Sequence, residues 1–256
     1  MLKMKEGEAD GDGIGKDEQK REENKNEKVD CCLSDGSFLL ATAVPAFAGV
    51  PVTHATPYVG PIEDTDLLMQ RIHTGVDERS EAVRIATTVF AKVSEGENTP
   101  MRIIGTTTQL VSTEYLRDGS RIERYATTAV ASTFTETNYE VENGVYVYAM
   151  VNYTARVVDG VFVECRLDNT KHKVVHPSAV TASNLQMTNK IDNGLEILHS
   201  NSRSIASPSN NTWYSLSSPS SAYFNLNRKF QGTTTVAASN GASPYVLCEV
   251  NLHSAP

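Results

Sequence analysis

The chain has 256 residues, with 23 Lys and Arg against 31 Asp and Glu, a net charge of −8. Hydrophobic residues make up 39 % and charged residues 21 %, a globular composition with length for one large or two small domains. It excludes collagen, a wholly disordered chain and a long coiled coil, and the acidic balance lacks the basic footprint of a generic nucleic-acid binder.

Met1 to Asp30 are mostly charged and polar residues and glycines. They bury too little apolar surface to offset chain entropy, so disorder is expected. An apolar run follows from Phe38 to Val44, then Pro45-Ala46-Phe47-Ala48. This resembles the back half of a secretory signal peptide, with Ala46 and Ala48 at the small-residue positions and cleavage before Gly49. A second small-residue exit lies at Thr53-His54-Ala55. The segment before the run is long and acidic where a short basic one is wanted, and a translation start placed too early accounts for it. The competing reading is a disordered tail followed by a buried apolar strand. No stretch supplies the ~20 apolar residues of a membrane-spanning helix. The expected organisation is therefore a leader over 1–48 and one domain over 49–256, with a Ser/Thr-rich subregion over 200–256.

Two cysteines, Cys165 and Cys248, follow the leader, and Cys31 and Cys32 lie within it. An even number in an exported chain points to a Cys165–Cys248 disulfide, and closing a loop of roughly 80 residues contributes ~4 kcal/mol on the chain-entropy account. The alternative is two buried free thiols.

Helix is scarce. Asp66 to His73, with Leu67, Leu68 and Ile72 near one face, predicts a short helix with Thr65 as its N-cap. Glu78 to Val93 is ambiguous. From about Arg84 the chain reads as strand, rich in Thr, Val, Tyr and Ile. Asp118-Gly119, Asn143-Gly144 and Asp159-Gly160 are hairpin turns, because a type I′ turn needs positive φ at both central positions. The last two predict a three-stranded meander over Asn138 to Asp168, with Tyr139 opposite Tyr148. One face of the middle strand reads Val145, Val147, Ala149, Val151, Tyr153, Ala155 and Val157, so a second layer must cover it. A two-residue turn at Asp118-Gly119 would oppose Glu114 and Glu123, so a longer loop or bulge is expected there. Later strand-like pieces are Thr212–Leu216, Ala222–Phe230, Thr233–Ala237 and Tyr245–Leu252. Cys248 shares a face with Val246, Val250 and Leu252, and Cys165 with Val161 and Val163. The expected fold is an all-β antiparallel sandwich, immunoglobulin-like or jelly-roll-like.

The motifs of common chemistry are absent: no Gly-x-Ser-x-Gly elbow, no phosphate loop and no His-Glu-x-x-His helix. His172 and His176 would lie ~13 Å apart on a strand, too far to share a metal, and read as solvent-exposed. Glu63, Asp64 and Asp66, and separately Glu95 and Glu97, are acidic loops, either solvated or holding Ca²⁺. No other cofactor is implied. Trp213, Tyr214 and Tyr223 lie among Ser, Asn and Thr, a composition that sugar- and protein-binding loops use, although Trp213 also reads as a core residue of the second sheet.

In style the chain resembles the exported β-sandwich proteins of Gram-positive bacteria. That resemblance implies a secreted or cell-surface protein that acts by binding an extracellular protein or glycan, as an adhesin-like or envelope-interaction module. The alternatives are a viral capsid-type jelly roll and an extracellular hydrolase on a β scaffold.

Overall fold

A computed structural model describes residues 52–80, 85–90, 101–133, 144–225 and 228–252. The expectations for the leader, for Asn138–Glu142 and for the Glu95/Glu97 loop lie outside the described residues. In chain order the elements are β1 (Val52–Ala55), α1 (Thr65–His73), β2 (Ile85–Phe90), β3 (Met101–Leu116), β4 (Arg121–Thr133), β5 (Tyr146–Val158), β6 (Val161–Val175), β7 (Ala182–Asp192), β8 (Ile197–Ile205), β9 (Tyr214–Ser217), β10 (Phe224–Asn225), β11 (Arg228–Ala238) and β12 (Tyr245–Leu252). The described chain is thus mostly strand. Two antiparallel sheets hold these strands: β1-β3-β4-β5-β6-β10, with β9 also on β6, and β2-β12-β11-β7-β8. From β3 to β6 four sequential strands are neighbours, an up-and-down order that neither immunoglobulin wiring nor the Greek keys of a jelly roll contain. The Ser/Thr-rich stretch completes both sheets, since β9 and β10 pair with β6 and β11 with β7.

The apolar face predicted on β5 exists. Val145, Val147, Ala149, Val151, Tyr153, Ala155 and Val157 are buried. They share one cluster with Leu185, Met187 and Ile191 of β7, Phe230 of β11, and Val246, Val250 and Leu252 of β12. The second sheet is the layer that the periodicity required.

Turn chemistry sets the register. Asp159 and Gly160 have φ of 51° and 79°, the pair of positive values a type I′ turn needs, and Val158 faces Val161. At Asp118 the loop is one residue longer. The Leu116 N–H donates to Ser120 O at 2.8 Å and Gly119 sits at φ 82°. Glu114 then faces Ile122, and Thr113 faces Glu123. The Glu–Glu opposition is avoided as expected, and Glu114 pairs with Arg124 while Glu123 pairs with Arg121.

The strand expected before Asn143-Gly144 is replaced by β4. Tyr148 lies between Val130 of β4 and Lys173 of β6, so both its flanks are taken. Ala129, Val130 and Ala131 offer apolar partners on both faces, which Asn138–Glu142, with Glu140 and Glu142, does not.

A bulge corrects the face assigned to Cys165. Arg156 faces Glu164 but Val157 faces Phe162, so Val163 is an extra residue and the alternation reverses. Phe162 is buried inside with Cys165, while Val161 is 52 % exposed. The two cysteines are free and buried, not joined. Cys248 reaches the Thr127 carbonyl, opposite Val151 on β5, whereas Cys165 faces Ala155. Four residues of strand separate those rows, about 13 Å, well beyond the Cα separation a disulfide spans. Each thiol instead donates to a carbonyl, Cys165 to Phe224 O and Cys248 to Thr127 O. Burial pushes both thiols up to about 12, which removes the thiolate that disulfide chemistry needs.

Helix α1 lies on the outer face of the first sheet. Its N-cap is Asp64 rather than Thr65, and Asp64 Oδ1 accepts from the Leu67 N–H at 2.8 Å. Thr65 is instead bound by Lys173, whose Nζ donates to its hydroxyl at 2.6 Å. Ile72 packs on Val130 and Tyr148. The helix comes so close to β3 that a Cβ on Gly105 would lie 2.6 Å from Ile72 Cγ2.

Candidate functional site

Beside helix α1 the outer face of the first sheet turns polar. One register row runs Ser112, Arg124, Thr154 and Arg166 across β3 to β6. The next runs Ala126, Asn152, Asn169 and Ser217. A second bulge on β6 builds the centre of the site. Asn152 faces Asn169 and Tyr153 faces Leu167, which leaves Asp168 as the extra residue. Leu167 and Thr170 are fully buried between the sheets, so Asp168 and Asn169 both project outward between them.

These residues floor a cleft of about 560 Å³, walled by Tyr58 and Pro61 on one side and by the serines of 217–221 on another. Arg166 pairs with Asp168 at 2.8 Å, and the Thr154 hydroxyl donates to the other Asp168 oxygen at 2.7 Å. Arg124 pairs with Glu114 and donates to Ser112 Oγ at 3.2 Å. Burial of Arg124 opposes its charge, but the Glu114 carboxylate outweighs it and holds the guanidinium pKa above its ordinary value. Lys171 pairs with Glu63. On the floor, Asn152 Nδ2 donates to Asn169 Oδ1 at 2.7 Å. Asn152 is only 6 % exposed, and its Oδ1 has no hydrogen-bond partner. An orphaned buried acceptor costs about 1–3 kcal/mol, so it is a feature that needs a reason.

The three aromatic residues singled out from sequence separate. Tyr223 stands beside the cleft with the Arg166 guanidinium 4.8 Å from its ring centre. Burial raises its hydroxyl pKa, Arg166 opposes the rise and Asp168 adds to it, so the phenol is protonated. Tyr214 is in β9, packs against the core and accepts from the Ser209 N–H at 2.7 Å. Trp213 is not in the second sheet; it caps the outer face of the first, edge-on to Tyr148 at 6.0 Å. Lys173 Nζ lies 4.6 Å from the Trp213 ring and 4.8 Å from the Tyr148 ring. The Trp213 indole N–H donates to Glu63 O at 2.8 Å. Its ring thus clamps the chain around Glu63 onto the sheet. Burial pulls the Lys173 pKa down to about 8, against the opposing carboxylates of Asp64, Glu63 and Asp66.

His172 is a correction. It is not solvent-exposed but fully buried between the sheets. Its ring nitrogens meet Thr170 Oγ1 and Thr234 Oγ1, each at 2.8 Å. The Thr234 hydroxyl donates to Tyr148 O at 2.7 Å, so its oxygen must accept from His172 Nδ1–H, and Nε2 accepts from Thr170. The ring is neutral, and burial presses its pKa down to about 3.

The acidic group Glu63, Asp64 and Asp66 has structural employment in an ion pair, a helix cap and the first helical turn. No cluster of His, Cys, Asp or Glu among the described residues is arranged to hold a metal. Among the described residues no helix is long and apolar enough to cross a membrane. No protein family matches the chain, and no curated protein or solved structure matches it either.

The cleft residues Tyr58, Arg124, Asn152, Arg166, Asp168 and Asn169 were not singled out from sequence. Strand alternation assigns Asn152 and Thr154 to the face opposite Val151 and Tyr153, which is a usable signal. The bulge that turns Asp168 and Asn169 to the same side has no signature in the residues themselves.

Proposed function

We propose that the two sheets form a β-sandwich that works outside the cell by binding, with the outer-face cleft as its site for a surface glycan or protein. The observation that carries this reading is the cleft itself, about 560 Å³, floored by the outward-facing Asn152, Arg166, Asp168 and Asn169 and lined also by Tyr58, Pro61 and Val111, the size and mixed lining of a ligand site. The polar floor, the Tyr58 and serine walls and Tyr223 nearby have the composition of an adaptable recognition surface. Asp168 is the sole carboxylate among the described residues that line the cleft, whereas glycoside hydrolysis requires a facing pair; this favours binding over the hydrolase alternative. The signal-like run at Phe38–Ala48 and the resemblance to Gram-positive exported proteins support a secreted or cell-surface location.

The test is an array of glycans and bacterial surface proteins probed with the full chain and with Asn152→Leu. Binding that the variant loses while it keeps its melting temperature supports the reading. A silent array, or binding indifferent to Asn152, overturns it. Export is tested separately by intact mass from a Gram-positive host: a chain beginning near Gly49 supports it, and a full-length chain retained in the cytoplasm removes it.

A further inference from the structure

The charges around the cleft narrow the ligand. Among the described residues, each cation that lines it already has a carboxylate: Arg124 has Glu114, Arg166 has Asp168 and Lys171 has Glu63. A ligand carboxylate, sulfate or phosphate entering here would compete with fixed anions, and Asp168 itself would repel it. An anion site leaves its guanidinium forks open to the ligand; here Arg166 meets Asp168 through Nε and Nη2, and Arg124 meets Glu114 through Nη1. What the cleft offers instead is neutral or charge-balanced polarity: the Asn169 amide, the remaining lone pairs of Asp168 and the hydroxyls of Ser220 and Ser221.

Among the apolar residues that line the cleft, Tyr58 stands furthest into solvent. Tyr58 is 66 % exposed while lining the cleft. A large aromatic ring left in water beside a polar floor is the arrangement that takes the CH face of a pyranose, while the sugar hydroxyls reach the polar groups. We infer that the cleft binds an uncharged saccharide, with a sugar ring on Tyr58 and its hydroxyls bonded to the Asn169 amide and the Asp168 carboxylate. This rests on the reading of the cleft as a binding site and names its ligand class.

The experiment is calorimetric titration of the full chain with neutral oligosaccharides (cellotetraose, chitotetraose, maltotetraose) and anionic ones (tetragalacturonate, a heparin tetrasaccharide). Each is run at low and at high salt, for the wild type, Tyr58→Ala and Asn152→Leu. The expected result is binding of a neutral ligand that salt barely changes and that Tyr58→Ala weakens about tenfold. Tyr58 is on the surface, so its removal leaves folding intact. Neutral binding that ignores Tyr58 overturns the inference. Exclusive, salt-sensitive binding of an anionic ligand that Asn152→Leu abolishes overturns the neutral-ligand assignment and leaves the cleft as the site. Absence of binding by every probe overturns both.

Discussion

His172 and Lys173 are neighbours in β6, and both are buried, yet the two faces of the first sheet treat them oppositely. The inner face holds His172 neutral between two threonines, inside the apolar cluster shared by both sheets. The outer face holds Lys173 between two aromatic rings with Glu63, Asp64 and Asp66 close by. The inner face is sealed by another sheet, whereas the outer face is covered piecemeal, by α1, by Trp213 and, over the cleft, by none of the described residues. One strand set thus presents a sealed core face on one side and a partly open, mixed face on the other. The cost of burying a charge is what enforces the division: a sealed interior admits the polar group that can shed its proton, and a half-open face admits the one that keeps it.

The contrast can be broken most strongly at the inner face. Phe230→Ala, at a fully buried site in that cluster, is expected to cost about 3–5 kcal/mol, read as a lower denaturation midpoint. A value under ~1 kcal/mol would mean that the two sheets do not depend on each other.

His172 sharpens the comparison through pH. Its pKa is about 3 in the folded chain, against the 6.5 of an ordinary histidine in water. Between those values the unfolded chain binds a proton that the folded chain does not. Stability is therefore present above pH 6.5 and declines as pH falls, by about 1.4 kcal/mol per pH unit from this group. His172→Gln should lose that component, so the two stability–pH curves converge towards acid. Parallel curves would contradict the buried neutral ring.

On the outer face the effects are smaller. Trp213→Ala removes a cation–π contact and the bond to Glu63 O, and should cost about 1–2 kcal/mol. Hydrogen exchange should rise first in α1. Lys173 titrates at about 8 in the folded chain and at the ordinary 10.5 once unfolded. Between these values the unfolded chain again holds the extra proton, so wild-type stability should rise with pH relative to Lys173→Met. A flat difference would place the ammonium in solvent. The least effect is expected from reductant: dithiothreitol should leave the melting temperature unchanged, and iodoacetamide should label Cys165 and Cys248 only after unfolding. A mass increase of two hydrogen atoms on reduction would restore the disulfide.

The chain carried in its own residues whatever depends on neighbours in sequence. Alternation over Val145 to Val157 specified an apolar face and its need for a cover, Asp159-Gly160 specified a tight turn, and the spacing of Leu68 and Ile72 specified a short helix. These follow from the strand and helix periods and from the steric demands of positive φ, all of which act within a few residues. Tertiary structure alone decided which strand flanks β5, that Cys165 and Cys248 lie rows apart, and that His172 is sealed inside. It also decided the site. Asp168 and Asn169 reach one face only because pairing with β5 leaves Asp168 over as a bulge, and Tyr58 meets them across more than a hundred residues of chain. A bulge is a property of two strands in register and a cleft is a property of two elements in contact, so neither is written in any single segment.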